Sequence, residues 1–146
     1  MKRNLIIFFV LLLLVVSTAG CSNGTESASA VDVDLTGMSQ TMVEAQFEHI
    51  MANSEDFLGK TIRVIGTYFP MYVAELNAMY HYVIIVYGDE CCQLGFEFKR
   101  DGDYVVPDDY PAMTELIEVI GVLNRYEEWG VSYLYIAVEE LIMLND

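Results

Sequence analysis

The chain has 146 residues, with 22 acidic side chains against seven lysines and arginines and a net charge of −15. Such a surface repels phosphate backbones, because nucleic-acid affinity comes largely from Lys and Arg replacing counterions, so nucleic acid is not expected as a partner. Three cysteines cannot build a multi-bridge framework, and the fold has to rest on a hydrophobic core of one domain's size.

Lys2 and Arg3 lead into Leu5 to Val16, an unbroken apolar run of twelve residues. A bilayer-spanning helix needs roughly twenty residues. A basic start, a short apolar stretch and small residues after it predict a secretory signal peptide over residues 1–20. Its end, Ser17-Thr18-Ala19-Gly20-Cys21, resembles the bacterial lipobox. That resemblance implies a lipidated Cys21 as the first residue of the mature chain. Two or more acyl chains anchor stably, which places the protein on the extracytoplasmic side of the cell membrane. Without Lys2 and Arg3, five basic residues face the same 22 acids, a net charge near −17. Residues 21–38 are rich in Ser, Gly, Ala, Thr and Asp and read as a flexible tether.

Residues 39–146 read as one folded domain. Thr41 and Glu44 fit a capping box that opens a helix. Val43, Phe47, Ile50 and Met51 follow at helical spacing, and the helix is expected to end near Asn53. His49 sits on it, turned away from the centre of that stripe. Five strands are predicted after it: Lys60 to Phe69, Tyr80 to Tyr87, a half-exposed strand through Leu94, Phe96 and Phe98, Glu115 to Asn124, and Val131 to Ile142. Gly102, Pro107, Asp108 and Asp109 mark a loop over 101–111. Residues 126–130 read as a turn.

Ile62-Arg63-Val64-Ile65-Gly66 and Ile117-Glu118-Val119-Ile120-Gly121 share the pattern I-x-V-I-G. A glycine late in a strand permits the bulge or sharp coil that a small barrel needs to close. Five strands with such glycines in the first and fourth predict a mainly β fold, a five-stranded OB-like Greek-key barrel preceded by one amphipathic helix. The apolar stripe of the helix is expected to plug the open end of the barrel.

Tyr80, Tyr82 and Trp129 are the candidates for stacking a ligand on the barrel face; core packing and rim cover are the competing explanation. Cys91 and Cys92 are adjacent. Neighbours in a regular strand point to opposite faces, so only a turn or bulge lets both grip one ion. With His81 and Asp89 (or Glu90) they form the candidate set for zinc or copper. A buried Cys92 with Cys91 at the rim is the reading that the alternation favours, and the metal set and a strained vicinal disulfide are the alternatives to it. The pairs Glu127-Glu128, Glu139-Glu140 and Asp108-Asp109 read as solvated surface. No phosphate loop, zinc-protease helix or nucleophile elbow is present in the sequence.

Three stretches carry a family resemblance: Met38 through Glu55-Asp56-Phe57-Leu58-Gly59-Lys60 to Ile62, Cys91 to Phe98, and Asp108-Asp109-Tyr110-Pro111. They resemble a family of small, uncharacterised bacterial lipoproteins whose domain is assigned to the OB-like, tRNA-anticodon-binding-like superfamily. The resemblance implies the barrel and the envelope location and no activity. The expected function is a non-catalytic binding module for an envelope protein or a small ligand, with no cofactor. The alternative is a thiol- or metal-handling lipoprotein using Cys91-Cys92 beside a transporter.

Overall fold

The computed structural model describes residues 30–87 and 92–144. The signal-peptide reading, Cys21, Asp89 and Cys91 lie outside the described residues. The elements are β1 (Val33–Asp34), α1 (Gln40–Ala52), α2 (Ser54–Phe57), β2 (Thr61–Val73), β3 (Ala78–Tyr87), β4 (Cys92–Lys99), β5 (Leu116–Glu128) and β6 (Val131–Met143). Strands β2 to β6 close into a barrel in the order β2-β3-β4-β6-β5, with β5 returning to β2 and β1 added outside it. All neighbours in the ring are antiparallel except β4 and β6, which are parallel. This is the expected mainly β, OB-like barrel.

Two glycines allow the closure. Strand β2 serves two partners, pairing with β5 through Thr67 and with β3 from Thr67 onward. A side chain at Gly66, just before the switch, would meet the Ile84 carbonyl oxygen at 2.5 Å. Gly121 sits at the bulge between β5 and β6, where the register shifts. The two I-x-V-I-G segments turn out to be partners: Ile62 lies opposite Gly121, Val64 opposite Val119 and Gly66 opposite Ile117. Pro70 falls where β2 has already left β5. Tyr68, of the same parity, directs its backbone bonds away from β3, so the missing N–H of Pro70 faces an unpaired edge.

Alternation builds the core. Ile62, Val64, Tyr68, Val83, Phe96, Phe98, Ile117, Val119, Leu123 and Ile136 fill the barrel. Helix α1 covers one end, burying Val43 and Ile50 and setting the Phe47 ring edge-on to Phe96 at 4.9 Å. Met51 departs from the expected plug: it is exposed and lines a surface cleft. The helix also starts earlier than the capping box implied. Ser39 is the N-cap, Thr41 is already helical, and no side chain caps the end. The cost is small, because the N–H groups of Met42 and Val43 find the Ser39 carbonyl.

The folded domain begins before Ser39, a correction to the tether's extent. Val33 and Leu35 are buried. Asp32 N–H donates to the Thr61 carbonyl, and Thr61 N–H donates to the Asp32 carboxylate at 2.8 Å. Asp34 and Glu118 flank the Arg63 guanidinium. A two-residue strand inside a polar stretch carries no periodicity to read. Strand β5 is likewise longer than expected. It runs through Glu128, leaving only Trp129 and Gly130 as the turn.

Candidate ligand-binding cleft

Residues paired in register share a face of the sheet. Val83 and Phe96 are partners in the core, so the neighbouring pair Tyr82 and Glu97 lies on the outer face. The same row continues to Phe69 on β2 and Tyr135 on β6. Met71 pairs with Tyr80 on that face. The β2–β3 hairpin bounds the face on one side. On the other, the long β5–β6 hairpin brings Tyr126 beside its partner Tyr133 and ends on Trp129.

A pillar stands in the middle of this face. Glu97 is 5% exposed although it points outward. The Tyr126 hydroxyl donates to one of its oxygens at 2.8 Å, and Lys99 Nζ lies 3.3 Å from the other. The same ammonium sits 3.2 Å from the centre of the Tyr126 ring and 4.9 Å from that of Tyr135. Burial, then the Glu97 carboxylate, pushes the Tyr126 phenol well above its ordinary range. Tyr80 donates to both oxygens of Glu128 at 2.8 and 3.0 Å, and that bond pushes its phenol up to about 12. Burial raises Tyr82. These phenols are therefore neutral donors at neutral pH.

Clefts open around the pillar. One of about 140 Å³ lies between the hairpins, walled by Met71, Val73 and Leu76 on one side and by Tyr80, Tyr82, Tyr126, Glu128, Trp129 and Tyr133 on the other. A second, of about 530 Å³, shares Tyr82 and Tyr133 and runs to Met51, Ser54 and Arg125. A third, of about 450 Å³, shares Tyr80, Tyr126 and Glu128 and reaches Arg100 and Tyr110. The two larger clefts share these residues as walls with the aromatic groove between the hairpins.

Trp129 is 72% exposed and has φ of +50°. A two-residue hairpin turn wants left-handed residues, normally Asn or Gly. A bulky side chain there is unfavourable by about 1 kcal/mol, and such outliers cluster at functional sites.

The structure thus brings together all three aromatic residues read from the sequence, Tyr80, Tyr82 and Trp129. It adds Tyr126, Tyr133, Glu97, Lys99 and Glu128. Glu128 was expected to be solvated surface; it is half-buried because the β5–β6 hairpin lays it against Tyr80. Glu97 was expected on the exposed side of its strand. The face is as expected, but a hairpin from far along the chain covers it.

The metal set does not assemble around His81. That residue pairs with Phe98, at the opposite end of the β3–β4 hairpin from Cys92, which pairs with Tyr87. Six residues of strand separate the two ends, about 20 Å, whereas ligands of one zinc lie about 2 Å from the ion. Instead His81 closes the barrel end. Its Nδ1 lies 2.7 Å from the Tyr68 hydroxyl, and its ring stacks on Tyr110 at 4.0 Å. Among the described residues, no group of three potential ligands is placed to hold a metal. His49 is exposed and lies edge-on to Phe57.

The His81 environment has a measurable consequence. Burial, and secondarily Arg100, lowers its pKa from 6.5 to about 4. Between those values the unfolded chain binds more protons than the folded one, so stability falls as pH drops from 6.5 towards 4. Partial exposure brings the linkage to about 2 kcal/mol. Denaturant titrations at pH 7 and pH 4 should show the parent losing about that much more stability than His81→Gln. Equal losses in the two would contradict this role.

No family model matches the chain, and no curated protein is significantly similar to it.

Proposed function

We propose that the chain is a lipid-anchored, extracytoplasmic OB-like binding module. Its outer β3–β4 face engages a small ligand or a protein partner, without catalysis. The observation that carries this reading is the convergence of Tyr80, Tyr82 and Trp129 on one cleft between two hairpins. That is the face, and those are the loops, with which OB barrels take ligands. The likeness to small bacterial lipoproteins with an OB-like domain belongs to the same reading. So does the anchor: the lipobox-like end of the apolar segment supports attachment through lipid on Cys21.

Cys21→Ser is expected to move the protein from the membrane fraction to the medium. Cell fractionation with a salt wash checks this; a serine variant that stays in the membrane pellet would overturn the anchor. The cleft itself is tested by comparing the parent with Tyr82→Ala for binding of envelope components, with Trp129 emission as the signal.

A further inference from the structure

We propose that the cleft between the two hairpins binds an organic ammonium group. The inference rests on the cleft being a ligand site and names what that site takes. Five aromatic side chains, Tyr80, Tyr82, Tyr126, Trp129 and Tyr133, line it together with one carboxylate, Glu128. Aromatic faces attract ammonium ions through the ring quadrupole, Trp most strongly, and a carboxylate at the wall supplies the counter-charge.

The same face already solves this problem once. Lys99 Nζ lies over the Tyr126 ring and 3.3 Å from Glu97. The adjoining cleft repeats the recipe with its rings and Glu128. Tyr80 holds that carboxylate in place through both oxygens. Among the described residues, no lysine or arginine forms an ion pair with Glu128. The counter-charge is in position and the cation is not part of the barrel.

Size and charge agree. A cleft of about 140 Å³ has room for roughly four or five water-sized groups, the bulk of a tetraalkylammonium head. Met71, Val73 and Leu76 give the methyl groups an apolar wall. The net charge of −15 concentrates cations near the surface and repels anionic ligands. The left-handed backbone at Trp129, unfavourable for so large a side chain, sets the indole at the rim of this cleft.

Trp129 is the only tryptophan, so its emission reports the cleft directly. The test titrates the full chain, in a non-ionic detergent, with tetramethylammonium chloride against sodium chloride at equal ionic strength. The expected result is a saturable change in emission with Kd of about 1 mM or below, and no such change with sodium. Glu128→Gln, which keeps the shape and the Tyr80 bond, should weaken binding about ten-fold. Leu76→Lys, which places a tethered ammonium at the wall, should abolish the response. Choline and N-acetyl-lysine amide distinguish a small quaternary ligand from a lysine side chain of a partner; saturable binding of either supports the proposal. Equal binding of dimethylbutanol, the uncharged isostere of choline, would overturn the ammonium while leaving the cleft as a site. Silence towards every ammonium overturns it too. If envelope components still quench Trp129 in a Tyr82-dependent way, the binding-module reading survives that result; if they do not, both fall.

Discussion

Gly121→Ala is expected to cost the barrel about 3 kcal/mol or more and to lower Tm by about 10 °C or more. The added carbon would sit on the Ala137 carbonyl oxygen and within 2.8 Å of the Ile136 side chain. Both belong to β6, and each is paired with β5 on one side and with β4 on the other. Backbone cannot retreat there without breaking ladder bonds, so the clash cannot relax as a flexible side chain would. Gly37→Ala is the control, because nothing lies within 4 Å of a carbon added there. Thermal melts followed by far-UV circular dichroism check the pair. Equal melting temperatures would contradict the close crossing of β5 and β6 at the bulge.

The second large effect concerns the pillar under the cleft. Glu97 is buried, and Lys99 is its only salt-bridge partner among the described residues. Lys99→Met leaves that carboxylate, among the described residues, with the Tyr126 hydroxyl as its side-chain partner. Removing one member of a fully buried pair costs about 3–5 kcal/mol. Lys99 is 40% exposed, and screening by water brings the expectation to about 2 kcal/mol. Adding Glu97→Gln removes the stranded charge and keeps an acceptor for Tyr126. The double variant should therefore return to within about 1 kcal/mol of the parent. Denaturant unfolding of the two single variants and the double variant measures the coupling. Additive losses would mean that Glu97 and Lys99 do not act as a pair.

Much of this architecture could be read along the chain, for a physical reason. A barrel strand with one face in the core alternates, and Ile62-Val64 and Phe96-Phe98 do so openly. The glycines of the repeated I-x-V-I-G pattern signalled where strands must coil. That the two copies pair with each other was not legible, because pairing across more than fifty residues leaves no local mark. Strand β1 was hidden for the opposite reason: two residues are too few to show a period. The segment ending in Glu-Glu-Trp-Gly looked like a turn by composition. In the fold, pairing with Val131 to Tyr133 draws all but its last two residues into β5.

The hairpin pairing also sets which residues of the cleft are hidden from the local sequence pattern. Once Trp129-Gly130 is a two-residue turn, Tyr126 must face Tyr133, and Glu128 must face Val131. The aromatic character of the site was visible in Tyr80, Tyr82 and Trp129. The buried status of Glu97 was not, since the alternation of β4 predicts which face it takes and not what covers that face. His81 lies far from Cys92, because closeness in sequence says nothing about distance along an extended strand.

The aromatic groove on the β3–β4 face is the proposed place where this protein meets its ligand. The most direct measurement adds a deproteinised envelope extract, and separately the detergent-solubilised envelope proteins, to the purified full chain while Trp129 emission is recorded. The account predicts a saturable change with at least one of the two. It also predicts that Tyr82→Ala, checked to melt as a folded barrel, loses that change, and that Glu140→Ala, exposed near Arg63 and outside the groove, keeps it. Binding that persists undiminished in Tyr82→Ala, or that disappears with Glu140→Ala instead, would contradict it.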